Sequence, residues 1–167
     1  MNLKQMEYFV AAAEQLNFTR AAKKCFISQT AMTLQIRSLE EKIGVPLFVR
    51  DKHHVELTAA GKVYLNEARA VLVRAEEAAN RAAAVETADK LRNCTVKITA
   101  KGGANGKLFG AITGKEISEA LMAQFGLDVG KQKIVLDEPI KAFGSYEIRA
   151  KLGYEVSGKF TVTVAEE

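Results

Sequence analysis

The chain has no tryptophan, two prolines, two cysteines and two histidines among its 167 residues. Each scarcity removes a class of explanation. Cys25 and Cys94 lie far apart and no CxxC pair occurs, so neither a disulfide framework nor a zinc site is encoded, and reduced thiols in a cytoplasmic protein are expected. His53 and His54 are neighbours without cysteine or clustered carboxylates around them, a poor ligand set, and no metal or cofactor is expected. The opening run MNLKQMEYFVAAAEQL carries charge through its apolar positions, so it does not read as a signal peptide, and no later stretch approaches a membrane span. No histidine, cysteine or carboxylate pair forms a recognisable acid–base or nucleophile arrangement, so an enzyme is not expected.

What is present is ordinary for a globular chain: 48% apolar, 26% charged, formal net charge +4. The excess is mild and permits a nucleic-acid partner without demanding one. Residues 58–91 stand out, with eleven alanines, one glycine and no proline. Alanine, leucine, glutamate and arginine favour helix, and Thr58 can cap its start, which predicts one long helix. Leu57, Gly61, Tyr64, Ala68, Val71, Ala75, Ala78, Ala82 and Val85 recur at alternating steps of four and three, the seam of a coiled coil. Such a seam suits a second copy; the other reading is a helix lying on its own domains.

Ahead of it, Asn2 can cap a helix whose Leu3, Met6, Phe9, Val10, Ala13 and Leu16 share a face. Thr19 can cap a short helix over residues 20–26, in which Ala21 and Ala22 permit close crossing. Ser28 can cap a third, running to Ile43 and stopped by Gly44 and Pro46. On this third helix Met32, Ile36, Leu39 and Ile43 make a buried stripe. Gln29, Thr30, Thr33 and Arg37 lie opposite and near its front. Short helix, tight turn and capped helix with polar donors is the helix-turn-helix layout, which presents a helix to the major groove. There Gln pairs with adenine, Arg with guanine, and a Thr methyl with thymine. An ordinary amphipathic helix with a solvated face fits the same pattern. Beyond Pro46, apolar stretches around Asp51, Lys52, His53 and His54 predict a hairpin, or wing, with Arg50 and Lys52 beside phosphates and His53 at the tip.

The run SQTAMTLQIRSLEEKIGVPLFVR, preceded by FTRAAKKCFI and followed by ELTAAG, closely resembles the DNA-binding domain of LysR-type transcriptional regulators. The resemblance extends from Met1 to about Ala79. It implies a winged helix-turn-helix that dimerises through a linker helix and reads an inverted repeat in double-stranded DNA with Ser28, Gln29, Thr30, Thr33 and Arg37. Thr30 departs from a frequent proline, and Leu34 from a frequent arginine whose loss removes a phosphate contact. The longer effector-binding domain of that family has no room here.

From Asn93 the pattern changes. Thr95 to Ala100 alternates as a strand, then KGGANGK forms a Gly-rich loop without the spacing of a P-loop. Thr113 and Glu116 predict a capping box for a helix to Phe125, with Gly126 as its stop. Ile134, Val135 and Leu136 read as a strand. Asp137 and Pro139 then predict a short helix ending at Gly144. Tyr146, Ile148, Ala150 and Leu152, and then Phe160, Val162 and Val164, alternate as strands with one buried face. The runs TVKITAKGGANGKLFGAITGKEISEAL and KQKIVLDEPIKAFGSYEIRAKL resemble the C-terminal domain of large-subunit ribosomal protein nine, an RNA-binding protein. By that resemblance Lys101, Lys107 and Lys115 are RNA contacts; a solvated surface is the other reading.

The expected architecture is therefore multidomain. A mainly α winged helix-turn-helix (1–57) and a long linker and dimerisation helix (58–91) precede a small α+β domain (92–167). Function follows the first domain, as a DNA-binding regulator, or the second, as a ribosome-associated rRNA binder. A third possibility is an engineered fusion in which the C-terminal half is a structural partner.

Overall fold

The computed structural model describes residues 1–51, 54–103 and 107–167, which form two compact units, Met1–Glu77 and Ala78–Glu167.

In the first unit α1 spans Leu3–Gln15, and the Asn2 side chain accepts the Gln5 amide at 2.8 Å. Its buried face is Met6, Phe9, Ala12 and Ala13. Leu3 and Leu16, expected on that face, are both exposed. They stand at the helix ends, Leu16 in a left-handed capping conformation with φ 43°. Helix α2 covers Phe18–Lys24, two residues earlier than the sequence suggested, because Asn17 and not Thr19 is the cap, accepting the Arg20 amide at 2.9 Å. The earlier start puts Phe18 against Phe48, and the turn at Phe26, with φ 57°, ends the helix before residue 26. Ala21 and Ala22 are buried, letting α1 and α3 approach closely.

Helix α3, Gln29–Ile43, begins at Ser28 and ends at Gly44, whose φ of 83° and amide bond to Glu40 O at 2.8 Å close the last turn. Met32, Ile36 and Leu39 are wholly buried, each contributing about 1.5–3 kcal/mol of burial. Strands β1 (Phe48–Arg50) and β2 (Val55–Leu57) pair antiparallel, Phe48 opposite Leu57 and Arg50 opposite Val55. Asp51 closes their turn by accepting the His54 amide at 2.6 Å.

Helix α4 runs unbroken from Ala59 to Arg92. Thr58 Oγ accepts the Gly61 amide at 2.9 Å and its hydroxyl donates to Pro46 O at 2.8 Å. Gly61, Tyr64, Leu65, Ala68 and Leu72 pack into the first unit. The expected seam therefore needs correction: Leu57, Gly61, Tyr64 and Ala68 serve the chain's own core, while Val71, Ala78, Ala82 and Val85 are exposed. Sequence spacing fixes which residues share a stripe but not what covers it.

In the second unit Ala84, Ala88 and Leu91 of α4 join a core with Val96, Ile117, Leu121, Val129, Ile148, Phe160 and Val162. The elements after α4 are β3 (Thr95–Ala100), β4 (Lys107–Ile112), α5 (Gly114–Phe125), a 3-10 turn (Lys131–Lys133), β5 (Ile134–Val135), β6 (Ile140–Ala142), β7 (Gly144–Gly153) and β8 (Val156–Glu166). The main sheet has the order β3-β8-β7-β5, with β3 parallel to β8 and the other pairs antiparallel. The capping box of α5 is present: Thr113 and Glu116 cap each other's backbone and Gly126 follows the helix. One expectation fails: the short helix after Pro139 is strand β6, and it pairs with β4, to which the sequence reading assigned no element, Ile112 opposite Ile140 and Lys107 opposite Ala142. Ile140 and Ile112 are both buried, and a single helical turn could not have delivered that pairing. The strand expected at 134–136 is shorter by Leu136.

Candidate nucleic-acid interface

Helix α3 is built as a presented helix. Its inner stripe is sealed, and Ser28 sits at its front in extended backbone, φ −73° and ψ 153°, accepting the Ala31 amide at 3.1 Å. Gln29, Thr30 and Arg37 are exposed and Thr33 is half-buried. The Gln29 amide donates to Thr33 Oγ at 3.0 Å, one turn on, which holds both side chains on one face. Leu34 is also exposed, at 57%. No acidic residue stands in the first turn, so the positive end of the helix dipole is unopposed there.

Arg50, placed beside phosphates by the sequence reading, donates to Glu40 Oε2 at 2.6 Å and lies over the Phe18 ring at 4.9 Å. Glu40 also accepts the amides of Leu47 at 2.9 Å and Phe48 at 3.1 Å. That role of Glu40 was not legible: its partners lie seven and eight residues on, outside any helical or strand period. Lys52 and His53 lie outside the described residues. Phe26, in the turn before α3, is 96% exposed in left-handed backbone, and no periodic pattern marks it.

A second ion cluster ties three helices. Glu14 of α1 accepts from Lys24 of α2 at 3.0 Å and from Arg69 of α4 at 3.1 Å, and these two bonds hold its carboxyl below the usual carboxylate range. Burial pushes the Cys25 and Cys94 thiols up, away from the thiolate form.

In the second unit Lys101, Lys107 and Lys115 are all exposed. Lys107 opens β4, and its carbonyl accepts the Gly103 amide at 2.7 Å, while Lys101 O accepts the Phe109 amide at 2.9 Å. Phe109, next in β4 to the buried Leu108, is 86% exposed beside them. Lys115 stands in the first turn of α5, 3.8 Å from Glu119. Among the described residues no cluster of ligands for a metal ion occurs, and no helix is long and apolar enough to cross a membrane.

Fold and surface together define a winged helix-turn-helix protein carrying a separate α+β domain. The chain belongs to the family of the ribosomal protein L9 C-terminal domain, whose model matches residues 82–166, and its residues 3–62 match the model of the bacterial regulatory helix-turn-helix proteins of the lysR family. It is 51% identical over 90 residues to the Hca operon transcriptional activator HcaR of Escherichia coli, covering 54% of this chain and 30% of that one. It is 45% identical over 102 residues to the large ribosomal subunit protein bL9 of Carboxydothermus hydrogenoformans, covering 58% of this chain and 68% of that one. The bL9 of Oceanobacillus iheyensis is 52% identical over 84 residues, 50% of this chain and 57% of its own. The chain thus spans under a third of the regulator and little over half of that ribosomal protein. Among solved structures, a CbnR_DBD–DNA complex superimposes with TM-score 0.50 at 40% identity, covering 52% of this chain and 99% of that chain.

Proposed function

We propose that this chain is a sequence-specific reader of double-stranded DNA. The observation that carries the reading is the α3 surface: a capped helix, apolar side sealed, with Ser28, Gln29, Thr30, Thr33 and Arg37 on the open side. A 40% identical domain solved with DNA supports it. In the major groove Gln29 pairs with adenine and Arg37 with guanine, while Lys52 and His53 approach the backbone from the wing. Two copies pair through the exposed apolar residues of α4, Val71, Ala78, Ala82 and Val85, and so read an inverted repeat. The stretch that follows α4 in this chain matches the ribosomal family.

The test is selection from random duplex DNA at near-physiological salt with structured RNA as competitor. An enriched inverted repeat that RNA does not displace supports the reading; no enriched motif refutes it. Gln29→Ala and Arg37→Ala should each weaken the selected site by about 1–3 kcal/mol, whereas Lys52→Ala should weaken all sequences alike. One observation favours a second reading, binding of structured rRNA by the C-terminal unit: Phe109 is exposed at 86% next to Lys101 and Lys107, an aromatic face among cations. Displacement of duplex by RNA at equal salt would favour it.

A further inference from the structure

We infer that Glu40 and Arg50 form a positioning pair that fixes the wing strands against the recognition helix and withholds the Arg50 charge from phosphate. One Glu40 oxygen takes the amides of Leu47 and Phe48 at 2.9 and 3.1 Å; the other takes the Arg50 guanidinium at 2.6 Å. The guanidinium lies over Phe18, and Phe18 meets Phe48 with ring centroids 5.3 Å apart, so α2, α3 and β1 converge on one carboxylate. The Glu40 side chain is 15% exposed and that of Arg50 28%. Drawing Arg50 out to a phosphate would strand a mostly buried carboxylate and uncover Phe18, so the guanidinium stays. Because Phe48, Val49 and Arg50 set the register of β2 through Leu57, Glu56 and Val55, anchoring β1 anchors the whole ribbon.

This inference uses the duplex-reading proposal for part of its test, and the experiment separates the two. Arg50→Gln removes the charge and keeps a donor for Glu40. With the selected duplex, hydroxyl-radical protection at the outer edge of each half-site should be lost in this variant, while in a Lys52→Ala background, which already lacks the wing's phosphate contact, adding Arg50→Gln should leave the salt slope unchanged. Glu40→Gln keeps an acceptor for the two amides and frees Arg50, and should steepen the slope of log affinity against log salt by about 0.9, one added phosphate contact. Arg50→Lys should restore the protection in part. A slope shallower by about 0.9 when Arg50→Gln is added to Lys52→Ala, the loss of one further phosphate contact, or protection unchanged in Arg50→Gln alone, overturns the pair. If the wild-type chain binds no duplex, the DNA reading has failed instead, and amide exchange in the free protein decides the pair. In Arg50→Gln the Leu47 and Phe48 amides should exchange about tenfold faster with those of Met6 and Phe9 unchanged. Unchanged exchange at Leu47 and Phe48 overturns it.

Discussion

Gly61 is the position where a routine stabilising substitution should do harm. In the first turns of α4, Gly61→Ala would ordinarily gain about 1 kcal/mol of helix propensity. A Cβ built there, however, would fall far inside contact distance of the Leu47 carbonyl oxygen, 3.1 Å from its carbon and 3.0 Å from Leu57 Cδ2. Backbone is the obstacle, and it is held: Leu47 O accepts the Thr58 amide at 3.0 Å, the Thr58 hydroxyl holds Pro46 O at 2.8 Å, and the Leu47 amide is on Glu40. To admit the methyl, the segment before β1 must retreat and give up at least the Thr58 bond, a loss of about 1 kcal/mol, on top of about 1–3 kcal/mol for overpacking. The net is a loss of roughly 2 kcal/mol after the propensity gain, or about 10 °C in the melting of a unit this size. Amide NMR spectra recorded through a thermal ramp separate the two units, so the shift should appear in signals from Met1–Glu77 and not in those of β7 and β8. Gly44→Ala is the comparison: its Cβ meets nothing within 4 Å, and only the φ of 83° opposes it, for a loss of about 1 kcal/mol. A Gly61→Ala chain melting at or above the wild-type temperature would refute the claim that α4 and the wing approach too closely for a side chain.

The hairpin joining β7 to β8 places Tyr154 and Glu155 at φ 52° and 60°, where Asn-Gly is favoured, so Tyr154→Asn with Glu155→Gly should stabilise the second unit by about 1 kcal/mol in urea unfolding. Glu14, held below the usual range first by Lys24 and then by Arg69, contributes stability that is complete above its unfolded pKa and lost as pH falls through the lower folded one. Glu14→Gln should therefore flatten the acid limb of stability against pH in the first unit, and an unchanged limb would remove the ion cluster from the account. Gln124 caps the edge strand β3, accepting the Lys97 amide at 3.0 Å and donating to its carbonyl at 2.6 Å; Gln124→Ala should lower stability by about 1 kcal/mol and promote concentration-dependent association, visible by light scattering. Leu34→Arg should tighten binding to all duplex sequences and steepen the salt slope by about 0.9, one phosphate contact, checked by titration at several salt concentrations.

Local chemistry was readable in the sequence and non-local chemistry was not. Asn2, Ser28, Thr58 and the Thr113–Glu116 box all cap helices where a hydroxyl, amide or carboxylate stands before an apolar period, because capping is settled within four residues. The same logic misplaced α2, where Asn17 and Thr19 both qualify and the packing of Phe18 against Phe48 decided between them. Strands β4 and β6 were missed since each is only a few residues long, one interrupted by Gly110 and the other following a proline, and each becomes a strand by pairing with its partner. At the interface, the face shared by Gln29, Thr33 and Arg37 was set by helical period. Nothing in the spacing showed that Arg50 would meet Glu40.

A single helix is a physically permissive place for two families to meet. Its hydrogen bonds run to the fourth residue back, so continuity across the join asks nothing of either core. What each core does demand is a set of small or apolar side chains at the right phase. Gly61, Tyr64 and Ala68 meet that demand on one side of the join, and Ala84, Ala88 and Leu91 on the other. Beyond Leu72, which still packs against the first core, residues 73–83 contain no buried position. The lysR match ends at residue 62 and the L9 match begins at 82, so the part of α4 that neither core uses falls largely inside the stretch between the two matches. Substitutions there are free of packing constraint within the chain, and alanine, which adds helix propensity without demanding a partner, accumulates in it. The same freedom leaves Val71, Ala78, Ala82 and Val85 available to a second copy. Residues 73–83 therefore serve helix continuity and, in the pairing proposed above, a second copy, and not either folded core.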